Sequence, residues 1–428
     1  MDKFIIEGKY PLKGDVTPSG NKNAALPMLA ACLLTDEEVT LNNVPDIQDV
    51  ETMRMLLESL GVRVTHSGSH TWKIQAKEVR PADLDPDLCR RIRASILLAG
   101  PMVARIGGLF LPPPGGDVIG RRRVDTHILA LESLGAEAIF DRGDKLFQFK
   151  SKQLKGTNIL LDEASVTATE NAIMAAVTAK GTTQLRNAAS EPHIQELCHF
   201  LNKLGAQISN IGSNTLLIQG VDKLKGGEFS IGPDYLEVVS FIGAAIVTQG
   251  TIRIKNAGVH YLDMISMVFN RLGVSWDVEG EDITVPEYQE LIIEPDLGNA
   301  IPEITVMPWP AFPTDLMSIA IVVATQSQGS VLFHDWMYPS RMFFTDKLVS
   351  MGAHIVLCDP HRSIVQGPTT LFGESMESPD IRAGMALVLA ALAAEGRSVI
   401  GNIRQIDRGY ESIDQKLKDL GAHIERIN

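Results

Sequence analysis

The feature that most constrains this chain is a phrase that returns six times. Leu60-Gly61-Val62, Leu134-Gly135-Ala136, Leu204-Gly205-Ala206, Leu272-Gly273-Val274, Met351-Gly352-Ala353 and Leu420-Gly421-Ala422 each close an amphipathic helical pattern and open a short alternating one. The glycines are separated by 74, 70, 68, 79 and 69 residues. Glycine just past a helix accepts the left-handed backbone that a C-terminal cap needs, so each phrase reads as helix, stop, strand. A second phrase keeps the same beat: a helix of small apolar residues, a turn, then a β-branched strand. It is clearest at Ile173–Leu185, Ile242–Ile254 and Val388–Ile400, with weaker copies at Met28–Val44, Ile96–Leu111 and Ile321–Phe333. Helices apolar on every face belong inside. Two phrases repeated in step predict a repeated α/β unit, and its length exceeds that of the common solenoid repeats. Six units in one chain predict an α/β fold of two inside-out domains, three units each, with helices inside and sheets outside.

Charge and composition narrow the function. A formal net charge of −13 argues against a nucleic-acid partner. The cations are local, at Arg90, Arg91 and Arg93 and again at Arg121, Arg122 and Arg123, which suits a small anionic ligand. Cys32, Cys89, Cys198 and Cys358 lie far apart without a C-x-x-C pair, so neither a zinc ribbon nor a disulfide framework is indicated. They read as free thiols in a reducing cytoplasm. Cys89, beside arginines, is a candidate reactive thiol, against the plainer reading of a partly buried cysteine. The start of the chain carries no signal-peptide pattern. The run Ala383–Ala394 falls short of the ~20 residues a membrane helix needs. His193 and His199 lack metal-ligand spacing, and no glycine-rich stretch matches a phosphate loop or dinucleotide fingerprint. The expectation is therefore no metal, no cofactor, no membrane and no obligate protein partner. The stretch Lys145–Lys155 reads as a polar loop and strand edge.

The chemistry-bearing residues cluster in two kinds of place. The stretch Leu111–Val124 opens on three prolines, continues through Gly115 and Gly116, presents Asp117 and ends in three arginines. By itself it is also compatible with an ordinary surface turn. The second place is the start of five of the six small-apolar helices, at Lys22-Asn23, Arg93, Ser165-Val166, Asp315 and Arg382. Lys22, Arg93 and Arg382 stand where the helix dipole disfavours cations and where free N–H groups attract anions. If two domains faced each other through these ends, the space between would be strongly positive. The bland reading of each cation alone is exposure. Arg341 and Arg408 read equally as anion ligands or salt-bridge partners, and Asp315 equally as a functional acid or a first-turn acid.

With these motifs in view, the chain resembles the enolpyruvyl transferases over essentially its whole length. Within them it is similar to the branch acting on UDP-N-acetylglucosamine. The marks are Ser19-Gly-Asn-Lys-Asn-Ala-Ala-Leu-Pro27, Arg93-Ala-Ser-Ile96, Pro114-Gly-Gly-Asp-Val-Ile-Gly120, Val124-Asp-Thr-His127, Ala311-Phe-Pro-Thr-Asp315, Asp380-Ile-Arg-Ala383 and Ile406-Asp-Arg-Gly-Tyr-Glu411. The resemblance implies βαβαββ-type units. It implies one domain over residues 22–232, carrying the catalytic loop 111–124, and another joining 1–21 to 233–428. It implies transfer of the enolpyruvyl group of phosphoenolpyruvate to a sugar 3-hydroxyl, with domain closure to exclude water. On that resemblance Asp117 is the acid and Asp315 the base. Lys22, Arg93, Arg122, Arg341, Arg382 and Arg408 form the cationic set, and Asn23 contacts the intermediate. Arg122, Arg123, Val124, Asp125, Thr126, Glu163, Ser165, Val166 and Met337 match the nucleotide-sugar contacts.

Four departures from the family pattern stand out. Asp117 replaces a cysteine, which predicts insensitivity to the epoxide fosfomycin. Glu163 stands where some relatives have lysine, with Arg123, often proline in relatives, as the expected compensation. Thr167 replaces glycine, and Pro339-Ser340 replaces Glu-Asn. These leave two alternatives in play: transfer to another nucleotide or UDP-sugar acceptor, and an inactive paralogue that binds nucleotide sugar.

Overall fold

The computed structural model describes residues 2–80, 84–117 and 123–427. They form two compact units, one of residues 20–117 with 123–232 and one of residues 2–19 with 233–427. Arg121 and Arg122, singled out above, lie outside the described residues.

The six repeat glycines all adopt positive φ, from +81° at Gly273 to +104° at Gly205 and Gly352. Each follows a helix: Gln48–Ser59, Asp125–Ser133, Pro192–Lys203, Asp263–Asn270, Thr345–Ser350 and Ile413–Asp419. The small-apolar phrases form the inner helices. In Tyr235–Val247 and Ile381–Ala393 every residue is buried, and in Lys22–Ala31 only Asn23 is not. Tyr235–Val247, Met317–Gln326 and Ile381–Ala393 pack on one another as the centre of their unit. Gly243 sits where they come closest: a Cβ there would stand 2.5 Å from Leu389 and 2.9 Å from Ile319. In the other unit Ala99–Arg105 packs against Val166–Ala176, and Lys22–Ala31 meets them through short 3-10 turns. The fold is the inside-out α/β arrangement that the repeats imply.

Six sheets wrap these centres, three to a unit, five of four strands and one of three among the described residues. The third repeat shows the pattern. Asn158–Leu160 leads into the inner helix and Thr182–Arg186 leaves it, pairing in parallel. Thr215–Gln219 and Gln207–Ser209 then add antiparallel. Two strands break sequence order. Lys13–Val16 runs into the helix Lys22–Ala31 yet pairs with Thr251–Ile254, and Gly227–Ser230 runs into Tyr235–Val247 yet pairs with Glu38–Asn42. The sixth sheet takes in Lys3–Glu7, antiparallel to both Arg397–Gly401 and His423–Ile427.

The second repeat departs from its copies. Arg93–Leu98 winds as a 3-10 turn, and the α-helix begins only at Ala99. Pro101 lacks an N–H and so belongs in a first helical turn, which delays the start. The stretch expected as loop and strand edge contains Leu146–Lys150, the middle strand of the three-stranded sheet. Its polar residues alternate with Phe147 and Phe149, and Phe149 is fully buried.

Candidate active site

In the unit of residues 20–232, the first inner helix presents Lys22. Asn21 caps it, its side-chain oxygen accepting the N–H groups of Asn23 and Ala24 at 2.9 and 3.3 Å. Lys22 is buried, with Nζ 2.7 Å from a carboxylate oxygen of Asp49. The bland reading of an exposed cation therefore fails here. Asp49 was not singled out from sequence, because an acid in the first turn of Gln48–Ser59 looks ordinary.

The proline-rich stretch is pinned to the segment carrying Arg93. Gly115 N–H donates to the Cys89 carbonyl at 3.1 Å, and Gly116 N–H to the Arg90 carbonyl at 3.4 Å. A Cβ on Gly115 would lie 1.7 Å from the Arg90 oxygen, so only glycine fits. Gly116, at φ +100°, lies against Arg93 in the same way. Asp117 follows, half-buried. Arg93 reaches the other end of the loop, Nη2 donating to the Arg123 carbonyl at 2.6 Å. Cys89 is not a reactive thiol: burial, then the Asp85 charge, pushes it up to about 12.

Arg123 pairs through Nη2 with Asp162 at 2.9 Å and through Nε with Asp125 at 3.3 Å. The Thr126 hydroxyl donates to the other Asp162 oxygen at 2.7 Å. Those hydrogen bonds and charges, Thr126 first, hold Asp162 below the usual carboxylate range. Arg123, whose charge was expected to compensate for Glu163, pairs with the neighbouring Asp162, a partner that sequence reasoning missed. Glu163 itself is exposed. Val124 precedes the helix Asp125–Ser133, and Ser165 caps Val166–Ala176, its hydroxyl accepting the Ala168 N–H at 3.5 Å. Behind these segments lies a buried polar chain. Thr167 Oγ1 is 3.1 Å from His127 Nε2, and His127 Nδ1 is 2.8 Å from Asn171 Nδ2. Asn171 also donates to the Ile96 carbonyl and accepts from Gly100 N–H. Burial, aided by the Arg93 charge, holds His127 down at about 3, so its ring is neutral.

In the other unit Asp315 faces two arginines from different elements. Its Oδ1 is 2.9 Å from Arg341 Nη2 and its Oδ2 3.5 Å from Arg382 Nε. Both guanidiniums are buried, at 4 and 5% exposure, so here too the surface reading fails. Arg341 lies over the Tyr338 ring and Arg382 over the Tyr410 ring. Burial pulls Arg382 down, but Tyr410, Asp315 and Asp234 outweigh it and hold the group above its ordinary value. Asp380 caps the sixth inner helix, accepting the Arg382 and Ala383 N–H groups at 2.8 and 2.9 Å. Asp335 braces the opposite side, accepting the Thr314 hydroxyl at 2.5 Å and the Met337 and Tyr338 N–H groups at 3.0 and 3.2 Å. Met337 packs half-buried against the core. Arg408 is half-buried, with Nη1 on Gln405 at 2.8 Å.

Among the described residues, Arg341 Nε and Arg382 Nη1 are buried donors with no acceptor. A buried unpaired donor costs about 1–3 kcal/mol, more when charged. Two such donors on adjacent guanidiniums make a ready seat for an anion carrying several oxygens. No cluster of potential metal ligands occurs among the described residues, and none of their helices is long and apolar enough to cross a membrane.

Comparison with known proteins gives one family. The model of the EPSP synthase (3-phosphoshikimate 1-carboxyvinyltransferase) family matches residues 6–417. The UDP-N-acetylglucosamine 1-carboxyvinyltransferase of Bradyrhizobium diazoefficiens is 56% identical over 425 residues, covering 99% of this chain and 98% of that one. That of Treponema denticola is 52% identical, covering 99% of each. The crystal structure of the enolpyruvyl transferase NikO from Streptomyces tendae superposes with a TM-score of 0.87 over 100% of this chain and 99% of its own. Its identity is 24%, so the likeness concerns the fold.

Proposed function

This chain belongs to the EPSP synthase family of enolpyruvyl transferases, and from that premise we propose how its residues divide the reaction. It transfers the enolpyruvyl group of phosphoenolpyruvate to the 3-hydroxyl of UDP-N-acetylglucosamine and releases phosphate, the first step of peptidoglycan precursor synthesis. Protonation of C3 makes C2 electrophilic, and the sugar oxygen adds there as its proton leaves. The tetrahedral ketal then loses the C3 proton and phosphate, restoring the double bond.

Such a path asks for an acid at C3, a base at the hydroxyl and cations on the phosphate and carboxylate. Asp117 is the acid and Asp315 the base. Arg341 and Arg382 hold an anionic end of phosphoenolpyruvate, with Lys22, Arg93, Arg122 and Arg408 completing the cationic set and Asn23 contacting the intermediate. Arg123, Val124, Asp125, Thr126, Glu163, Ser165, Val166 and Met337 contact the nucleotide sugar. The single observation that supports the assignment most is the pair of buried guanidiniums on Asp315 with donors left over. The reducing cytoplasm is the compartment we assign, in keeping with four unpaired cysteines.

The test is phosphate release from phosphoenolpyruvate with and without UDP-N-acetylglucosamine, with the product weighed by mass spectrometry. Release that depends on the acceptor, with an enolpyruvyl adduct, is expected. Release only with a different nucleotide acceptor would reassign the substrate, and ligand binding without release under any acceptor would mean an inactive protein.

A further inference from the structure

We propose that Thr167 is a binding residue for the nucleotide sugar, its hydroxyl held by the buried His127 so that its proton is donated to the diphosphate. This rests on the reading above that Ser165 and Val166 contact that ligand.

The orientation follows from the hydrogen bonds, taken inward to outward. Asn171 Oδ1 accepts the Gly100 N–H at 2.7 Å, which settles which way its amide points. Its Nδ2 then has two hydrogens, and two acceptors stand at 2.8 Å, the Ile96 carbonyl and His127 Nδ1. His127 therefore accepts at Nδ1. A neutral imidazole that accepts at one nitrogen carries its proton on the other, so Nε2–H donates to Thr167 Oγ1 at 3.1 Å. The ring is 1% exposed and cannot turn away to water. One lone pair of the Thr167 oxygen is thus committed inward. Its own proton has no acceptor among the described residues and is left to point outward.

Outward lies the beginning of an 11-residue helix. Thr167 is its second residue and is half-buried. The Ser165 cap takes the Ala168 N–H, leaving the Val166 and Thr167 N–H groups without an intrahelical partner, as at any helix start. An anionic oxygen there meets those N–H groups and an O–H already aimed by a rigid, neutral partner. A residue without a hydroxyl would lose that donor and leave the buried Nε2–H unpaired as well.

Purified protein is titrated calorimetrically with UDP and with UDP-N-acetylglucosamine, for wild type, Thr167→Val, Thr167→Ala and Thr167→Ser. Loss of a hydrogen bond to a charged group predicts that valine and alanine weaken both ligands by roughly 10- to 100-fold. Serine is expected to recover most of the loss, and KM for phosphoenolpyruvate at saturating acceptor to stay within about twofold. Wild-type affinity in both hydroxyl-less variants, with only a lower melting temperature, would make Thr167 purely structural and overturn the proposal alone. Failure of wild type to bind either ligand would overturn the functional reading, and this proposal with it.

Discussion

Asp117 carries the residue-level consequence that is easiest to test. A carboxylic acid delivers a proton, and removing a general acid costs about 10²–10⁴ in rate. Asp117→Asn should therefore lose kcat by that order while the calorimetric affinity for UDP-N-acetylglucosamine changes little. A carboxylate is also a weak nucleophile toward an epoxide. Incubation with equimolar fosfomycin should leave the intact mass and the activity unchanged, and a covalent adduct would contradict the role given to this side chain. Lys22 depends on a residue that carries no motif. Truncating Asp49 removes the carboxylate 2.7 Å from a buried ammonium, and breaking such a pair costs about 3–5 kcal/mol. Asp49→Ala should thus lower the melting temperature measurably, and an unchanged one would mean that Lys22 finds another partner. The cations were legible in the sequence because they break the rule for helix starts. Their partners were not: Asp49, Asp162 and Tyr410 obey local rules, and only the fold brings them to Lys22, Arg123 and Arg382.

Among the elements, the glycine loop and the third inner helix make opposite demands. The loop needs an absence of side chain. Gly115→Ala sets a methyl 1.7 Å from the Arg90 carbonyl oxygen, so the stretch leading to Asp117 has to lift off. We expect kcat/KM to fall by at least roughly tenfold, since misplacing a reacting group by about 1 Å can cost about 10²-fold; wild-type kinetics would show that the loop reseats itself. The helix Val166–Ala176 instead carries a buried acid. Burial, then the Glu191 charge, pushes Glu170 well above the usual carboxylate range. The helices themselves were legible, because small apolar residues on every face and a glycine stop leave few other readings. The 3-10 turn at Arg93 was not, since it turns on where a single proline, Pro101, can be accommodated.

At the scale of the whole molecule, Glu170 and His127 add opposite slopes to the pH profile of stability. A carboxyl whose folded value is raised contributes stability below its unfolded value of 4.5 that is lost as pH climbs through the folded one. Glu170→Gln should melt higher than wild type, with a gap that widens from about pH 5 upward. For His127 the sign reverses. Its neutral ring is stabilising above 6.5, and stability drains away as pH falls from there toward about 3. His127→Phe should lower stability overall yet flatten the acid limb. If neither variant changes the slope of melting temperature against pH, other groups govern the profile. The six-unit plan was legible from the repeats, but the pairings of Lys3–Glu7, Lys13–Val16 and Gly227–Ser230 were not, because each joins segments far apart in the sequence. Lys3–Glu7 is the extreme case, seated between Arg397–Gly401 and His423–Ile427. A ribosome adds about 5–20 residues per second, so Lys3–Glu7 waits on the order of 20–80 s for both its neighbours. Residues 20–232 hold all three of their own sheets well before then. Their partner unit lacks both neighbours of Lys3–Glu7 until Arg397–Gly401 and His423–Ile427 are made, so its sixth sheet closes last.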